Sequence, residues 1–298
     1  MSVADISKKR AWIIAARPKT LLAAVGPVLV GAAAAFHDGF VNLLVTVLAL
    51  LGAISLQIES NFANDYFDFI KGIDNEKRVG PTRALQAGLL SKKEMQIGIL
   101  VNIFISGMIG LYLIYVGGWP ILAIGVSSII FAILYSGGPY PLSALGLGDL
   151  FVFIFFGLIA IPGTYYVISG TLSPIVFLLS IPVGFLITAI LVVNNYRDYD
   201  LDLAAGKKTF SHILGKAGTR YYYAFLIFSP FLVPIYLFSV EMYSVAIFLP
   251  ILAFPFAIKL AKDLWTETKL PKLNSTLAGT ARLSLIYSLL LSIGLIFS

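Results

Sequence analysis

Apolar stretches of about 20 residues, the length that crosses the hydrocarbon core of a bilayer as a helix, recur along the whole chain. About nine can be marked, with centres near Val28, Val47, Phe104, Ser127, Phe155, Phe185, Phe228, Pro250 and Leu290. The pattern predicts an all-α protein: one domain over residues 1–298, folded as a polytopic membrane helical bundle of about nine transmembrane helices. Composition agrees, since 59% of the 298 residues are hydrophobic and only 12% are charged, with a mean hydropathy of +0.92. A soluble domain of this size would need far more polar residues to cover its surface. The basic N-terminal segment runs straight into the first apolar stretch with no small-residue cleavage site, so that span is expected to stay in the membrane. The chain has no cysteine, which removes disulfides, thiolate metal ligands and cysteine nucleophiles.

Charge placement adds an orientation. All 21 Lys and Arg residues lie before the first span or in residues 67–95, 197–220 and 259–282. The alternate connections, around His37, Gly117, Gly170 and Glu241, hold none. By the positive-inside rule the N-terminus and the charged loops are cytoplasmic, and with nine helices the C-terminus is outside. The expected location is the cytoplasmic (inner) cell membrane. The net charge of +6 is then mostly a topology signal that requires no nucleic-acid partner, although a basic face also favours anionic lipid or phosphate-bearing substrates.

Two of the cytoplasmic loops, after the second and sixth spans, are rich in acids as well as bases. In "NFANDYFDFIKGIDNEKRVGP", Asn61, Asp65 and Asp68 are spaced to share one face if the helix runs on from Leu56. In "VVNNYRDYDLDLAAGKKT", Asn194, Asp198 and Asp202 follow at i, i+4 and i+8, while Asp200 points elsewhere. Asn61 and Asn194 are 133 residues apart, as are Asp65 and Asp198, and a Tyr follows each Asp. An internal duplication that brings two acidic helix ends face to face is the inference. Carboxylates crowded at a membrane border repel unless a cation sits among them. All-oxygen ligands suit a hard ion, Mg²⁺ in particular, completed by a diphosphate. The plainer alternative is a solvated loop face in which these acids pair with Lys71, Arg78, Arg197 and Lys207. Two matched clusters argue against it.

These motifs resemble the two signatures of the UbiA-type membrane prenyltransferases, one after the second helix (Asn61, Asn64, Asp65, Asp68 and Asp74 here) and one after the sixth (Asn194, Asp198, Asp202). "ARPKTL" (16–21), "GPTRALQAGLLS" (80–91), "YSGGPYPLSALGLGD" (135–149) and "NNYRDYDLDLAAGKKT" (194–209) look like the branch that prenylates 1,4-dihydroxy-2-naphthoate in menaquinone synthesis. In many relatives the third acid of the first motif lies four residues beyond the second. Here position 72 is Gly and the next acid is Asp74, a spacing that fits the naphthoate branch.

The resemblance implies Mg²⁺-dependent transfer of a polyprenyl group from polyprenyl diphosphate to an aromatic acceptor. Asp65, Asp68, Asp198 and Asp202 would be the metal-holding and catalytic residues, with Asn61 and Asn194 as neutral ligands. Arg83 and Lys207 are the first candidates to grip the diphosphate, with Lys71, Arg78, Arg197 and Lys208 also near the motifs. Tyr135 and Tyr140, flanking a Gly-rich loop, and Tyr66 and Tyr199 could face a cation-like allylic carbon, although Tyr is also an ordinary interfacial anchor. Arg17 or Lys19 can receive the acceptor's carboxylate. Gly31, Gly52, Gly110, Gly157 and Gly184 either let helices approach or leave a groove for the isoprenoid tail. His37 and His212 read as interface residues, and Glu76 and Asp200 as solvated loop residues. Two readings stay open beside this one. Another aromatic acceptor, such as 4-hydroxybenzoate, would share the Asp motifs, and an ion-coupled transporter would also carry intramembrane acids, though near mid-span rather than at helix ends.

Overall fold

The computed structural model describes residues 6–72, 80–240, 243–267 and 269–298. A short helix α1 (Lys8–Ala16) leads into α2 (Pro18–His37), α3 (Leu43–Ile70), α4 (Lys92–Leu134), α5 (Gly148–Ser169) and α6 (Pro174–Arg197). The short α7 (Tyr199–Ala204) follows, then α8 (Phe210–Val240), α9 (Val245–Thr266) and α10 (Leu270–Ile296). Among the described residues eight helices are long and apolar enough to cross a membrane, and the chain is a multi-pass membrane protein. The expected two spans centred at Phe104 and Ser127 both fall within α4. Its 43 residues would make a rod of about 65 Å, twice the thickness of the hydrocarbon core. Gly118 breaks it, with φ 69° and ψ −156°, a conformation open to glycine. Pro120, which lacks an N–H, follows. The two apolar centres lie on either side of this break.

Of the spans, α6 and α10 are the most enclosed and α4 the least. With little hydrophobic drive between helices in lipid, close packing depends on small residues, and α2 and α10 show it. Down one face of α10 run Thr276, Thr280, Ser284, Ser288 and Ser292, all buried. Thr280, Ser288 and Ser292 donate to the carbonyl four residues back at 2.7–2.9 Å. That stripe meets the Ala- and Gly-rich face of α2, where a Cβ on Gly26 would come within 2.7 Å of Ser288 Oγ. Likewise a Cβ on Gly31 would lie 2.7 Å from the Ile161 carbonyl, and one on Gly157 would lie 3.1 Å from Gly184 Cα. Gly31, Gly157 and Gly184 therefore serve packing. Gly157 belongs to a π-helical turn, Phe153–Ile159, within α5, and Phe156 of that turn faces the cavity described below.

A polar seam joins α3 to α4 inside the apolar layer. Asn102 donates to Glu59 Oε2 at 3.1 Å and to the Ser55 carbonyl at 2.8 Å, and Ser55 Oγ lies 2.7 Å from Ser106 Oγ. Glu59 is wholly buried.

The motif-bearing loops gather at one end of the bundle. Lys71 at the end of α3 donates to the carbonyls of Ser136 and Gly138, and Leu145 pairs with Lys208 in a short parallel bridge. At the other end Tyr165 donates to Asp38 at 2.6 Å and His37 stacks on Tyr243. Basic loops and base-free connections thus occupy opposite ends, as charge placement leads one to expect.

Replacing Gly31 by Val is expected to lower the melting temperature of the detergent-solubilised protein, at a cost of about 1–3 kcal/mol. Gly107→Ala, where a Cβ meets nothing within 4 Å, is expected to leave it unchanged. In the seam, Asn102→Leu alone should destabilise by about 1–3 kcal/mol because it strands the Glu59 carboxyl. The double change with Glu59→Leu should recover most of that loss in the same melts.

Candidate active site

α3 is longer than a membrane crossing requires, so its last turns carry the first motif beyond the apolar layer. The cavity-facing stripe of this helix is Gln57, Ser60, Asn61, Asn64 and Asp68. Asp65, expected among the metal ligands, is not on it. At 100° per residue Asp65 lies a quarter-turn beyond Asn64, and it faces the 80–91 loop, where Oδ2 accepts the Ala84 N–H at 3.0 Å. That loop closes on itself through Leu89 and Leu90 N–H to the Ala84 carbonyl. It packs with α1 and Phe62 in an apolar cluster, which sets Arg83 into the cavity wall.

The second motif does not continue as one helix. α6 stops at Arg197, and Asp198 (φ −93°, ψ 9°) caps it before α7 begins. Asn194, Asp198 and Asp202 nevertheless all line the same cavity as Asn61 and Asp68. Its volume is about 250 Å³. The two motifs do face each other.

Four cations and three carboxylates share its wall: Arg17, Arg83, Arg197 and Lys207 with Asp68, Asp198 and Asp202. Arg83 Nη2 lies 3.6 Å from Asp68, and Lys207 Nζ lies 3.6 Å from Asp202. Burial pulls Lys207 down, but Asp202, Asp68 and Asp198 together outweigh it and hold the ammonium above its ordinary value. Burial likewise pushes the Asp202 carboxyl up; Lys207 opposes this, while Asp198 and Asp68 add to it. Among the described residues Asp202 Oδ2 is buried without a hydrogen-bond partner.

Arg197 has another task. Its side chain is fully buried; Nε donates to Asp198 Oδ1 at 2.8 Å and Nη2 to Asp198 Oδ2, while Nη2 also reaches Asn194 at 2.8 Å and Nη1 reaches Asn274 at 2.7 Å. The guanidinium expected to grip phosphate instead ties the second motif to α10. Arg17 is the one non-glycine residue in left-handed backbone among those described (φ 51°), a conformation that costs about 1–3 kcal/mol. Its guanidinium donates to Asn64 Oδ1 at 3.0 Å and to the Asn61 carbonyl at 3.3 Å, so the strained junction of α1 and α2 is fastened to the first motif. Asn61 donates Nδ2 to the Ala16 carbonyl and Thr20 Oγ1, which leaves its side-chain Oδ1 for a ligand. Asn64 donates to Asp68 and Ser136, each at 2.8 Å.

Other expected residues fall elsewhere. Tyr135 lines the cavity, and burial, with Asp149, Asp68 and Asp202 nearby, raises its hydroxyl pKa so that it stays protonated. Tyr140 is 77% exposed and does not, because its loop turns it to the surface. Lys71 pins the Gly-rich loop rather than lining the cavity. The Tyr66 hydroxyl accepts from Gln96, and Tyr199 packs on His212, whose ring bonds Thr209 and the Tyr199 carbonyl. Lys208 holds the bridge to Leu145, and Asp200 forms an exposed pair with Lys216. Asp74, Glu76 and Arg78 lie outside the described residues.

Asn64, Gln57, Ser60 and Asn195 complete the polar lining. Gln57 and Ser60 were signalled by their polarity within an apolar span, one turn before Asn61 and Asn64. Asn274 had no signal. Beyond Gln57, Ser60 and Phe156, which both share, an apolar groove of about 200 Å³ continues between α2, α3, α4 and α5, with Gly52 and Gly110 in its wall.

Whether these residues suit Mg²⁺ can be judged from the donors. Among the described residues no three acids converge into a ready-made cage, and the ion usually takes one or two carboxylates together with waters and substrate phosphates. Asp68, Asp198, the orphaned Asp202 oxygen and Asn61 Oδ1 meet that requirement.

The UbiA prenyltransferase family pattern matches residues 24–286. The 1,4-dihydroxy-2-naphthoate octaprenyltransferase of Escherichia coli is 36% identical to this chain, over 100% of it and 99% of the relative. Among solved structures, a UbiA homolog from Aeropyrum pernix K1 superposes with a TM-score of 0.69 at 14% identity, covering 90% of this chain and 96% of that one. One from Archaeoglobus fulgidus bound to DMAPP and Mg2+ gives 0.66 at 19%, covering 95% and 99%. With a match across most of its length and paired acidic motifs on one cavity, the chain belongs to the UbiA prenyltransferase family.

Proposed function

We propose that the protein transfers a polyprenyl group from polyprenyl diphosphate to 1,4-dihydroxy-2-naphthoate, with loss of CO₂, as a Mg²⁺-dependent step of menaquinone synthesis. One observation carries the reading: a carboxylate-lined cavity rimmed by Arg83 and Lys207 opens into an apolar groove. A lipid diphosphate needs that sequence of environments. The acceptor follows from the name of the E. coli relative.

Asp68, Asp198, Asp202 and Asn61 would hold the metal, which neutralises charge on the departing diphosphate when bound. Asn194, expected beside them, gives its carbonyl to Arg197 and acts by orienting Asp198. Asp65 contributes by fastening the loop that presents Arg83. Arg83 and Lys207 are drawn to the same oxygens, since both already lie against carboxylates a phosphate would compete with. As the allylic C–O bond breaks, its electron pair leaves with diphosphate, and the electron-rich ring carbon forms the new C–C bond. The bond to the ring carboxylate then breaks, and its electron pair restores the aromatic ring. Tyr135 and Phe156 line the reaction space and can face the developing cation, while the apolar groove keeps water away. Arg17, which also lines the cavity, would receive the acceptor's carboxylate. The motif end faces the cytoplasm of the inner membrane, the side on which basic loops remain.

Purified protein given Mg²⁺, labelled polyprenyl diphosphate and the naphthoate is expected to yield prenylated product and CO₂, to stop on chelation and to recover when Mg²⁺ is restored. Product from 4-hydroxybenzoate alone would overturn the acceptor, and none from either acceptor would overturn the transfer. Asp68→Asn and Asp202→Asn should each lower kcat/KM at least about a hundredfold, or roughly 2.7 kcal/mol. Asn274→Ala, which touches no substrate but loosens Arg197, should lower kcat about tenfold, measured in the same assay.

A further inference from the structure

Asp149 is a buried carboxylate that the scheme above leaves unused. It sits in the first turn of α5, 4% exposed. Among the described residues its Oδ1 accepts a long hydrogen bond from Asn195 Nδ2 at 3.4 Å, and its Oδ2 is buried with no partner. A carboxyl group this poorly satisfied costs stability, so packing does not account for it.

Its surroundings point to a ligand. Asn195 is itself only 4% exposed, yet it lines the cavity beside Tyr135 and Val152. Its amide N–H₂ is directed at Asp149, which turns its carbonyl oxygen away from Asp149 as an acceptor. A Cβ placed on Gly148 would lie 3.5 Å from the Tyr135 hydroxyl, so that hydroxyl rests against the turn that carries Asp149. Val152, Phe156, Ile187 and Leu191 supply apolar wall nearby. Together they form an apolar stretch of the cavity wall, carried mainly by α5 and α6, in which the Asn195 side-chain oxygen stands as a hydrogen-bond acceptor.

Resting on the prenyl-transfer reading, we propose that Asn195, oriented by Asp149, is the site that takes a ring hydroxyl of the aromatic acceptor. Asn195 Oδ1 accepts the hydroxyl hydrogen bond. Asp149 is a positioning residue that keeps the amide from turning over and offering its N–H₂ instead. The hydrogen bond pushes electron density into the ring, which favours attack on an electron-poor allylic carbon. It also discriminates among acceptors, because an analogue without the hydroxyl leaves a buried carbonyl unpaired.

The test compares the dihydroxynaphthoate with its two mono-methyl ethers, using wild type, Asn195→Ala and Asp149→Asn. Wild type should lose at least about tenfold in kcat/KM with one of the two ethers. Both variants should raise KM for the dihydroxy acceptor about tenfold, leave KM for the diphosphate unchanged, and treat that ether and the parent alike to within about twofold. Asp149→Glu should restore part of the discrimination. A wild-type ratio retained in the variants, no ether sensitivity in wild type, or a KM change confined to the diphosphate would each overturn the assignment. If Asn195→Ala does not fold, as a detergent melt would show, the near-isosteric Asn195→Leu, which also lacks the acceptor, replaces it in the same comparison. Absence of any product from wild type would instead remove the transfer reading on which the assignment rests.

Discussion

The buried guanidinium of Arg197 holds the working end of the molecule together. Its forked donors occupy both oxygens of Asp198 and bind Asn194 and Asn274 as well, so one side chain sets the geometry of the second motif and joins it to the last helix. A lysine would supply the charge without the planar fork. The interaction also answers the cost of placing carboxylates at the border of an apolar bundle: one acid is neutralised within the protein, while Asp68 meets Arg83 and Asp202 meets Lys207 at a looser 3.6 Å. Those looser contacts are where a polyanion with its metal can enter.

The first motif is held by a parallel device. Arg17, in strained backbone, reaches Asn64 and the Asn61 carbonyl, and Asp65 anchors the loop that carries Arg83. Each half of the site therefore spends one strongly bound group on architecture and presents the remainder to the cavity. The two halves are not copies in detail. The first sits on an unbroken helix, whereas the second spans a helix end and the short α7.

Below the site the bundle is made of small residues where helices touch and of open space where they do not. Gly31, Gly157 and Gly184 are in contact with neighbouring helices, while a Cβ on Gly110 would meet nothing within 4 Å. The least enclosed helix, α4, closes one side of the apolar groove and is fastened to α3 by the Glu59–Asn102 seam. In lipid such a seam supplies a directed attraction that apolar contact between helices cannot.

Periodicity and hydropathy alone determined the all-helical membrane bundle, because twenty-residue apolar runs admit few other structures in lipid. Charge counting separated the two ends, and the repeated Asn and Asp positions marked the two motifs and their meeting. Spacing nominated Asp65, and position beside the motifs and the Gly-rich loop nominated Lys71 and Tyr140, and there only the tertiary structure could decide. Residues within 40° on a helix look equivalent in sequence, and the neighbouring loop determines which of them sees the cavity. The same limit hid Arg197's role. Its partner Asn274 lies 77 positions away, and a contact at that separation exists only once α6 and α10 are packed.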